Sequence, residues 1–463
     1  MTTIACAAVF APGANADSLE GALIQAYQNN PQLNSQRAAV RATDEGVPQA
    51  LSGYRPRVTA NAFGGEQQLY SNSRVVTSTT PPNAPAAYFV QKGSNAPFGT
   101  GVTATQTLYN GFQTANRTRQ AESSVFAARE TLRQTEQSVL LNAVTAYMNL
   151  LRDTAILDLQ RRNVEVLQEQ LRQTRDRFNV GEVTRTDVAQ SESSLAAGRS
   201  QVLSAEATYK ASLATYRQVI GVDPGKLSPG TPVDRFSPHN LNDSVAAGTT
   251  QNPQVTTAQY NVDVAQLAVK VAEGALYPTL SVQGNFQKNW MSQQSLTGID
   301  SYSASVLGQL SVPIYQGGAE YSAIRQAKET LGQRRIDFDT TRDSVRQSVV
   351  QSWGQVEATK ANIEATQAQV QASEIALNGV REEARVGQRT TLDVLNAQQT
   401  LVNARVSLVT AQHDRVVASY TLLSAVGRLS PQMLGLRVPT YDPQVHYHQV
   451  RDSWIGVRTP DGR

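Results

Sequence analysis

The sequence predicts a mainly α-helical protein with a β-barrel part, built as a duplicated unit of helix, strand, strand, long helix and helix. Three observations predict it. An internal repeat runs through most of the 463 residues. Short segments of period-two alternation stand at matched places in both copies. A three-and-four apolar stepping continues without proline far beyond the length of an ordinary helix.

The repeat keeps constant spacing. Leu108-Tyr109-Asn110-Gly111 matches Ile314-Tyr315-Gln316-Gly317, and Arg119-Gln120-Ala121-Glu122 matches Arg325-Gln326-Ala327-Lys328. Val180-Gly181, Asp187-Val188 and Gly221 match Val386-Gly387, Asp393-Val394 and Gly427, every pair 206 residues apart. Upstream, Asn30-Pro31-Gln32 matches Asn252-Pro253-Gln254 and Pro56 matches Pro278, now at 222. Copy one therefore holds 16 more residues between Pro56 and Leu108, as an inserted surface loop would. The expected organisation is a leader at 1–16, a first repeat at 17–221, a poorly periodic and therefore irregular linker at 222–250, a second repeat at 251–428, and a tail at 429–463.

The first helix of each copy is expected at about 17–51 and 252–276, ending before a proline. The strands are expected at about 55–66, 99–110, 279–290 and 304–315. Leu280, Val282, Gly284 and Phe286 alternate with Ser281, Gln283, Asn285 and Gln287, and Val58, Ala60 and Ala62 alternate with Thr59 and Asn61. Strands of about ten residues suit an outer-membrane barrel. Tyr54, Tyr109, Phe112, Tyr277, Trp290, Tyr302 and Tyr315 gather near the strand ends, as interfacial girdles do. The segment 66–97 is rich in Ser, Thr, Asn and Pro and reads as a mobile surface loop. Four strands cannot close a barrel, and open edges are not tolerated in lipid, so membranous strands require an oligomer.

The long helix follows. Its seam steps through Val125, Leu132, Val139, Ala143, Ala146, Leu150, Leu157, Leu167, Leu171, Thr174 and Phe178, with no proline from Gln113 to Val180. At 1.5 Å per residue such a helix reaches about 100 Å. Leu140, Tyr147 and Leu151 form a second set off the seam, so the helix can contact a neighbour on each side. A shorter helix is expected at 184–221.

Composition excludes several classes. Formal net charge is +3 with both signs interspersed, which is no nucleic-acid footprint. Cys6 is the single cysteine, so neither a disulfide framework nor a cysteine metal site is expected. His446 and His448 on an irregular tail make a weak metal motif, and Gly225-Lys226-Leu227-Ser228 lacks the glycine-rich loop of a phosphate site. No catalytic constellation stands out, and no cofactor is expected. The apolar run at 4–10 followed by Ala14-Asn15-Ala16 reads as the back of a secretory leader without its basic start. Cys6 as a lipidation site is the weaker alternative.

On these residues the chain resembles the TolC family of outer-membrane efflux proteins. The likeness covers about 18–434. It rests on the duplicated layout, on the Leu-Tyr-Asn-Gly and Ile-Tyr-Gln-Gly strand exits, and on two tips. These are Arg177-Phe178-Asn179-Val180-Gly181-Glu182-Val183-Thr184-Arg185-Thr186-Asp187 and Arg385-Val386-Gly387-Gln388-Arg389-Thr390-Thr391-Leu392-Asp393. The resemblance implies a homotrimer in the outer membrane, with one twelve-stranded barrel continued by a twelve-helix periplasmic tunnel. It implies a periplasmic adaptor (membrane fusion protein) and an inner-membrane transporter of RND, MFS or ABC type at the tunnel's lower end. Val180, Gly181, Glu182, Val386, Gly387 and Gln388 would face the adaptor. Arg389, Asp187 and Thr186 would hold the entrance shut between neighbouring helices. Asp393, with the position of Asn396, would form the selectivity ring.

Two positions depart from the family pattern. Ala384 replaces a tyrosine and Asn396 an aspartate, which implies fewer gate hydrogen bonds and one acidic ring. Arg389 and Asp393, four apart, are expected on one helical face. A soluble periplasmic coiled-coil adaptor or scaffold is the competing reading. It accounts for the helices and leader and leaves the four matched strands unexplained.

Overall fold

The structure, a computed structural model, describes residues 18–75, 87–293, 296–460 and 462. The leader at 1–16, with Cys6 and Ala14-Asn15-Ala16, lies outside the described residues. In chain order the elements are α1 (Leu19–Asn29), α2 (Pro31–Asp44), α3 (Gly46–Leu51), β1 (Arg57–Gly64), β2 (Gln67–Val75), β3 (Ala87–Asn110), α4 (Gln113–Asn179) and α5 (Arg185–Ile220). They continue with α6 (Leu241–Gln251), α7 (Pro253–Gly274), β4 (Thr279–Gln293), β5 (Leu296–Ser311), α8 (Ala319–Arg385), α9 (Thr391–Ala425) and α10 (Pro443–Val450). Two compact units result. One takes the described part of Met1–Ala42 with Val125–Asn261 and Arg335–His446, and the other takes Thr43–Ser124, Val262–Arg334 and Tyr447–Arg463.

In the first unit the long helices carry strict heptads. Along α4 the buried residues include Val125, Leu132, Val139, Ala146, Asp153, Gln160, Leu167 and Thr174, each seven after the last. A sustained seven-residue repeat favours left-handed supercoiling. Phe178 breaks the expected series: it stands one residue before the end of the helix and is exposed. Leu140 and Tyr147, off the seam, are fully buried among Leu23, Leu33, Tyr216, Ile220 and Leu423. Each such side chain contributes about 1.5–3 kcal/mol by leaving water. The Tyr147 hydroxyl donates to the Ser228 carbonyl at 2.7 Å and accepts the Ser228 N–H at 3.0 Å, tying the segment after α5 onto α4.

The Asn-Pro-Gln repeat has a physical cause. The residue before a proline is pushed out of the helical region, and Asn30 (ψ 122°) and Asn252 (ψ 127°) are both extended. Each caps the helix it precedes, accepting the N–H of Gln32 or Gln254 at 2.9 Å. Each also donates its amide to a carbonyl 206 residues apart between copies, Val219 at 3.1 Å and Ala425 at 2.8 Å. This corrects two expectations. The helix expected at 17–51 is three pieces, broken at Asn30 and Glu45. The linker at 222–250 is not wholly irregular, since α6 fills its end with Asn240 as N-cap and is the counterpart of α1.

The second unit is built on an antiparallel sheet in the order β1-β3-β4-β5, with β2 pairing β3 beyond β1. Its registers put Val58, Ala60 and Ala62 on one face with Val102, Ala104, Leu280, Val282, Phe286, Ala304, Val306 and Leu310. The other face carries Thr59, Asn61, Thr103, Ser281, Gln283, Asn285, Ser303, Ser305 and Gln309. The apolar residues Val58, Val102, Phe286, Val306 and Leu310 remain exposed. Phe98 stacks on Trp290 at 5.2 Å on the apolar face.

The segment 66–97, expected as a loop, is corrected. Its described part is β2 and the first half of β3, paired from Gln67↔Asn95 to Val75↔Ala87. The hairpin thus continues past β1, interrupted where Pro97 has no N–H to give and its carbonyl accepts Gly65 N–H at 3.1 Å. Residues 76–86 lie outside the described residues. β5 differs from 304–315 at both ends, starting at Leu296 and stopping at Ser311. Copy two has Pro313 where copy one has Thr107, and the copy-one strand passes that point through a bulge at Thr107/Tyr109 to Asn110.

Candidate functional site

The two helical tips of the first unit fold alike because their sequences prescribe the same pair of caps. At the end of α4, Glu182 N–H donates to the Arg177 carbonyl at 2.9 Å and Gly181 N–H to the Phe178 carbonyl at 3.0 Å. At the end of α8, Gln388 N–H donates to the Glu383 carbonyl at 2.9 Å and Gly387 N–H to the Ala384 carbonyl at 3.2 Å. These are Schellman motifs, with Gly181 (φ 82°) and Gly387 (φ 78°) supplying the left-handed residue. A Cβ on either glycine would meet nothing within 4 Å, so backbone conformation and not close approach requires them. Val180 and Val386 stand outside the turns and are about 70% exposed, at 72% and 71%.

The return helices open with capping boxes. Thr184 accepts Asp187 N–H at 3.3 Å, and the Asp187 carboxylate accepts Thr184 N–H at 2.9 Å and the Thr184 hydroxyl at 2.7 Å. Thr390 and Asp393 repeat this at 3.2, 2.9 and 2.8 Å. The Thr184 hydroxyl and amide hold Asp187 below the usual aspartate range, and the Thr390 amide and hydroxyl do the same for Asp393. Both folded-state values are lowered. The caps therefore contribute fully above the unfolded value of about 3.9 and are lost as pH falls through the lower folded one. We expect Thr390→Ala to cost the start of α9 about 1 kcal/mol, read as faster amide exchange there. In wild type the same amides lose protection only in acid.

The structure separates residues that the sequence reading grouped. Arg389 precedes the N-cap of α9, so Arg389 and Asp393 do not share a helical face, and that expectation is corrected. The Arg389 Nε instead donates to Glu383 Oε2 at 2.7 Å, back onto the end of α8. Arg177 does the reverse in copy one, its Nε donating to Glu182 Oε2 at 2.9 Å. Thr186 is exposed in the first turn of α5, and Asn396 is exposed in the second turn of α9. Within one chain neither Arg389 nor Asp393 is bonded to Asp187 or Thr186. Behind the tips, Leu167, Leu171, Leu195 and Leu395 form a small core. Arg175 pairs with Glu192 in copy one, and Arg381 donates to Gln398 Oε1 at 3.2 Å at the matching place in copy two. The Thr-x-x-Asp spacing was a readable capping signal, whereas nothing periodic marked Glu383 as the partner of Arg389.

The family model described as outer membrane efflux protein matches residues 22–222 and 249–428. The chain is 42% identical over 450 residues to the outer membrane efflux protein BepC of Brucella suis biovar 1, covering 96% of this chain and 93% of that protein. It is 26% identical over 432 residues to outer membrane protein TolC of Escherichia coli K12, covering 89% and 83%. Among solved structures, the Campylobacter jejuni CmeC outer membrane channel superposes with a TM-score of 0.74 at 17% identity over 94% of this chain and 89% of that one, a likeness of fold. With both copies matched by one model and nearly the whole chain aligned at 42% identity, this chain belongs to the outer membrane efflux protein family and is a channel protein of the Gram-negative outer membrane.

Proposed function

We propose that three copies close one twelve-stranded barrel and one helical tunnel, carrying small molecules, proteins or both out of a tripartite pump. The observation behind this reading is the sheet of the second unit. One face is mainly apolar and uncovered, the other mainly polar, and β1 and β5 each end the four-strand path with an open edge. Edges of that kind are stable in lipid only when closed by other strands. Four strands per copy reach twelve with three copies. The periplasmic adaptor meets the tips at Val180, Gly181, Glu182, Val386, Gly387 and Gln388, and the inner-membrane RND, MFS or ABC transporter supplies the energy.

At the entrance, Arg389 of one copy reaches Thr186 and Asp187 of the next, and Asp393 with Asn396 sets the ring that favours cations. The Arg389–Glu383 pair supports a refinement. Glu383 competes within the tip for the arginine that closes the gate. Arg389→Ser then enlarges single-channel conductance in planar bilayers, whereas Glu383→Gln frees the arginine for the neighbour and reduces it. Unchanged conductance in Arg389→Ser would remove the gate assignment and leave the duct. No conductance from well-folded wild-type protein would sink the duct and favour the periplasmic scaffold.

A further inference from the structure

We propose that the C-terminal tail is a membrane foot, with Trp454 seated in the phospholipid headgroup layer of the outer membrane's inner leaflet. The tail is held at two points in the second unit. Arg451 Nη2 lies 3.7 Å from Glu122 Oε1, in the third turn of α4, about 14 Å below the start of that helix. Three residues later the Ser453 carbonyl accepts Arg55 Nη1 at 2.6 Å. The Arg55 guanidinium then lies over the Trp454 ring, 4.7 Å from its centroid. The tail therefore climbs α4 towards the sheet and is pinned at residue 55.

Residue 55 marks a level in the fold. It is two residues before β1, and the turn Ser52–Tyr54 lies against the start of α4, where a Cβ on Gly53 would meet Thr114 at 2.8 Å. The Gln106 amide near the end of β3 donates to the Tyr54 carbonyl at 2.8 Å. This is the strand-to-helix junction, the periplasmic end of the apolar sheet face. Tyr54, Phe112 and Tyr277 are exposed at the same junction. Aromatic rings beside arginines at the edge of an apolar band are the chemistry of a membrane interface.

The tail extends that band. Trp454 is 68% exposed, and Ile455 and Val457, at 95% and 101%, touch almost nothing in the chain. Large apolar side chains so placed are unfavourable in water and suited to the headgroup–acyl boundary. Arg57 and Arg458 are exposed nearby in sequence to each of the two partners, adding positive charge for lipid phosphates. The occupant we assign is phospholipid rather than another protein because the stretch continues the lipid-facing band and carries interfacial chemistry.

The test uses the full chain in vesicles of phosphatidylethanolamine and phosphatidylglycerol. Trp290→Phe and Trp353→Phe leave Trp454 as the only tryptophan. Phospholipids brominated near the ester end are expected to quench it several-fold more than those brominated near the chain end. If every brominated lipid is silent while acrylamide quenches freely, the tail is in water and the proposal falls. If both are silent, protein covers the tail and the proposal falls equally. Should the double variant assemble poorly, a nitroxide at Ile455→Cys, with Cys6→Ser, gives the same depth by oxygen accessibility. The placement rests on the barrel reading, so the same vesicles are also tested for conductance: a conducting channel with a lipid-silent Trp454 rejects the membrane foot alone, whereas absent conductance rejects the duct.

Discussion

Val306→Arg abolishes recovery of assembled channel from the outer membrane, while Leu307→Arg, one residue along, leaves it intact. Both side chains are largely exposed in the single chain, at 78% and 61%, so burial does not distinguish them. The register does. Val306 pairs with Gly284 on the face shared by Ala304, Gly308 and Leu310, midway along the apolar run at 302–310. Leu307 pairs with Gln283 among Ser303, Ser305 and Gln309. An arginine facing lipid near the bilayer midplane costs about 2–4 kcal/mol, and one facing a barrel lumen costs little. Repeated in each copy of the proposed trimer it comes to about 6–12 kcal/mol, comparable with the whole margin of a typical fold. Membrane fractionation followed by unheated gel electrophoresis reads the outcome. Equal tolerance of both variants would contradict the assignment of faces.

The second large effect concerns Gly427. It and Gly221 are 206 apart, end α9 and α5, and have φ of 85° and 88°. A side chain in that region costs about 1–2 kcal/mol by itself. Around Gly221 the nearest atom to a new Cβ is Asn29 Cβ at 3.9 Å, so Gly221→Ala carries only that strain. Around Gly427 the new atom would meet Asn252 Cα at 2.6 Å and the Gln251 carbonyl at 2.8 Å. These are backbone atoms at the Asn-Pro junction and cannot swing aside. Gly427→Ala should therefore lose at least about 3 kcal/mol, at the upper end of single substitutions. Thermal unfolding of the two variants beside wild type checks this. Equal shifts would show that the junction yields.

Much of the site was legible as sequence. The paired Val-Gly tips, the Thr-x-x-Asp boxes and the proline-free run to Val180 are local signals, and local hydrogen bonding suffices to produce turn, cap and helix from them. The partner of Arg389 was not legible. Arg389 and Glu383 are joined because the Schellman turn folds residues 387–389 back over the end of α8, and such a reversal has no sequence period. The same limit explains 66–97. Its composition suggested a loop, but β2 takes its order from pairing with β3, a contact at a distance along the chain.

By itself the sequence determined the duplication, the long helices, the alternating strands and the family, because repetition, helical period and strand period are written residue by residue. Tertiary structure alone decided which strand positions share a face of the sheet. It decided that two glycines in equivalent places bear different loads, and that the tail is pinned by Arg55. Each depends on atoms brought together from distant parts of the chain. Packing distances of a few tenths of an ångström decide such contacts, and no local pattern encodes them.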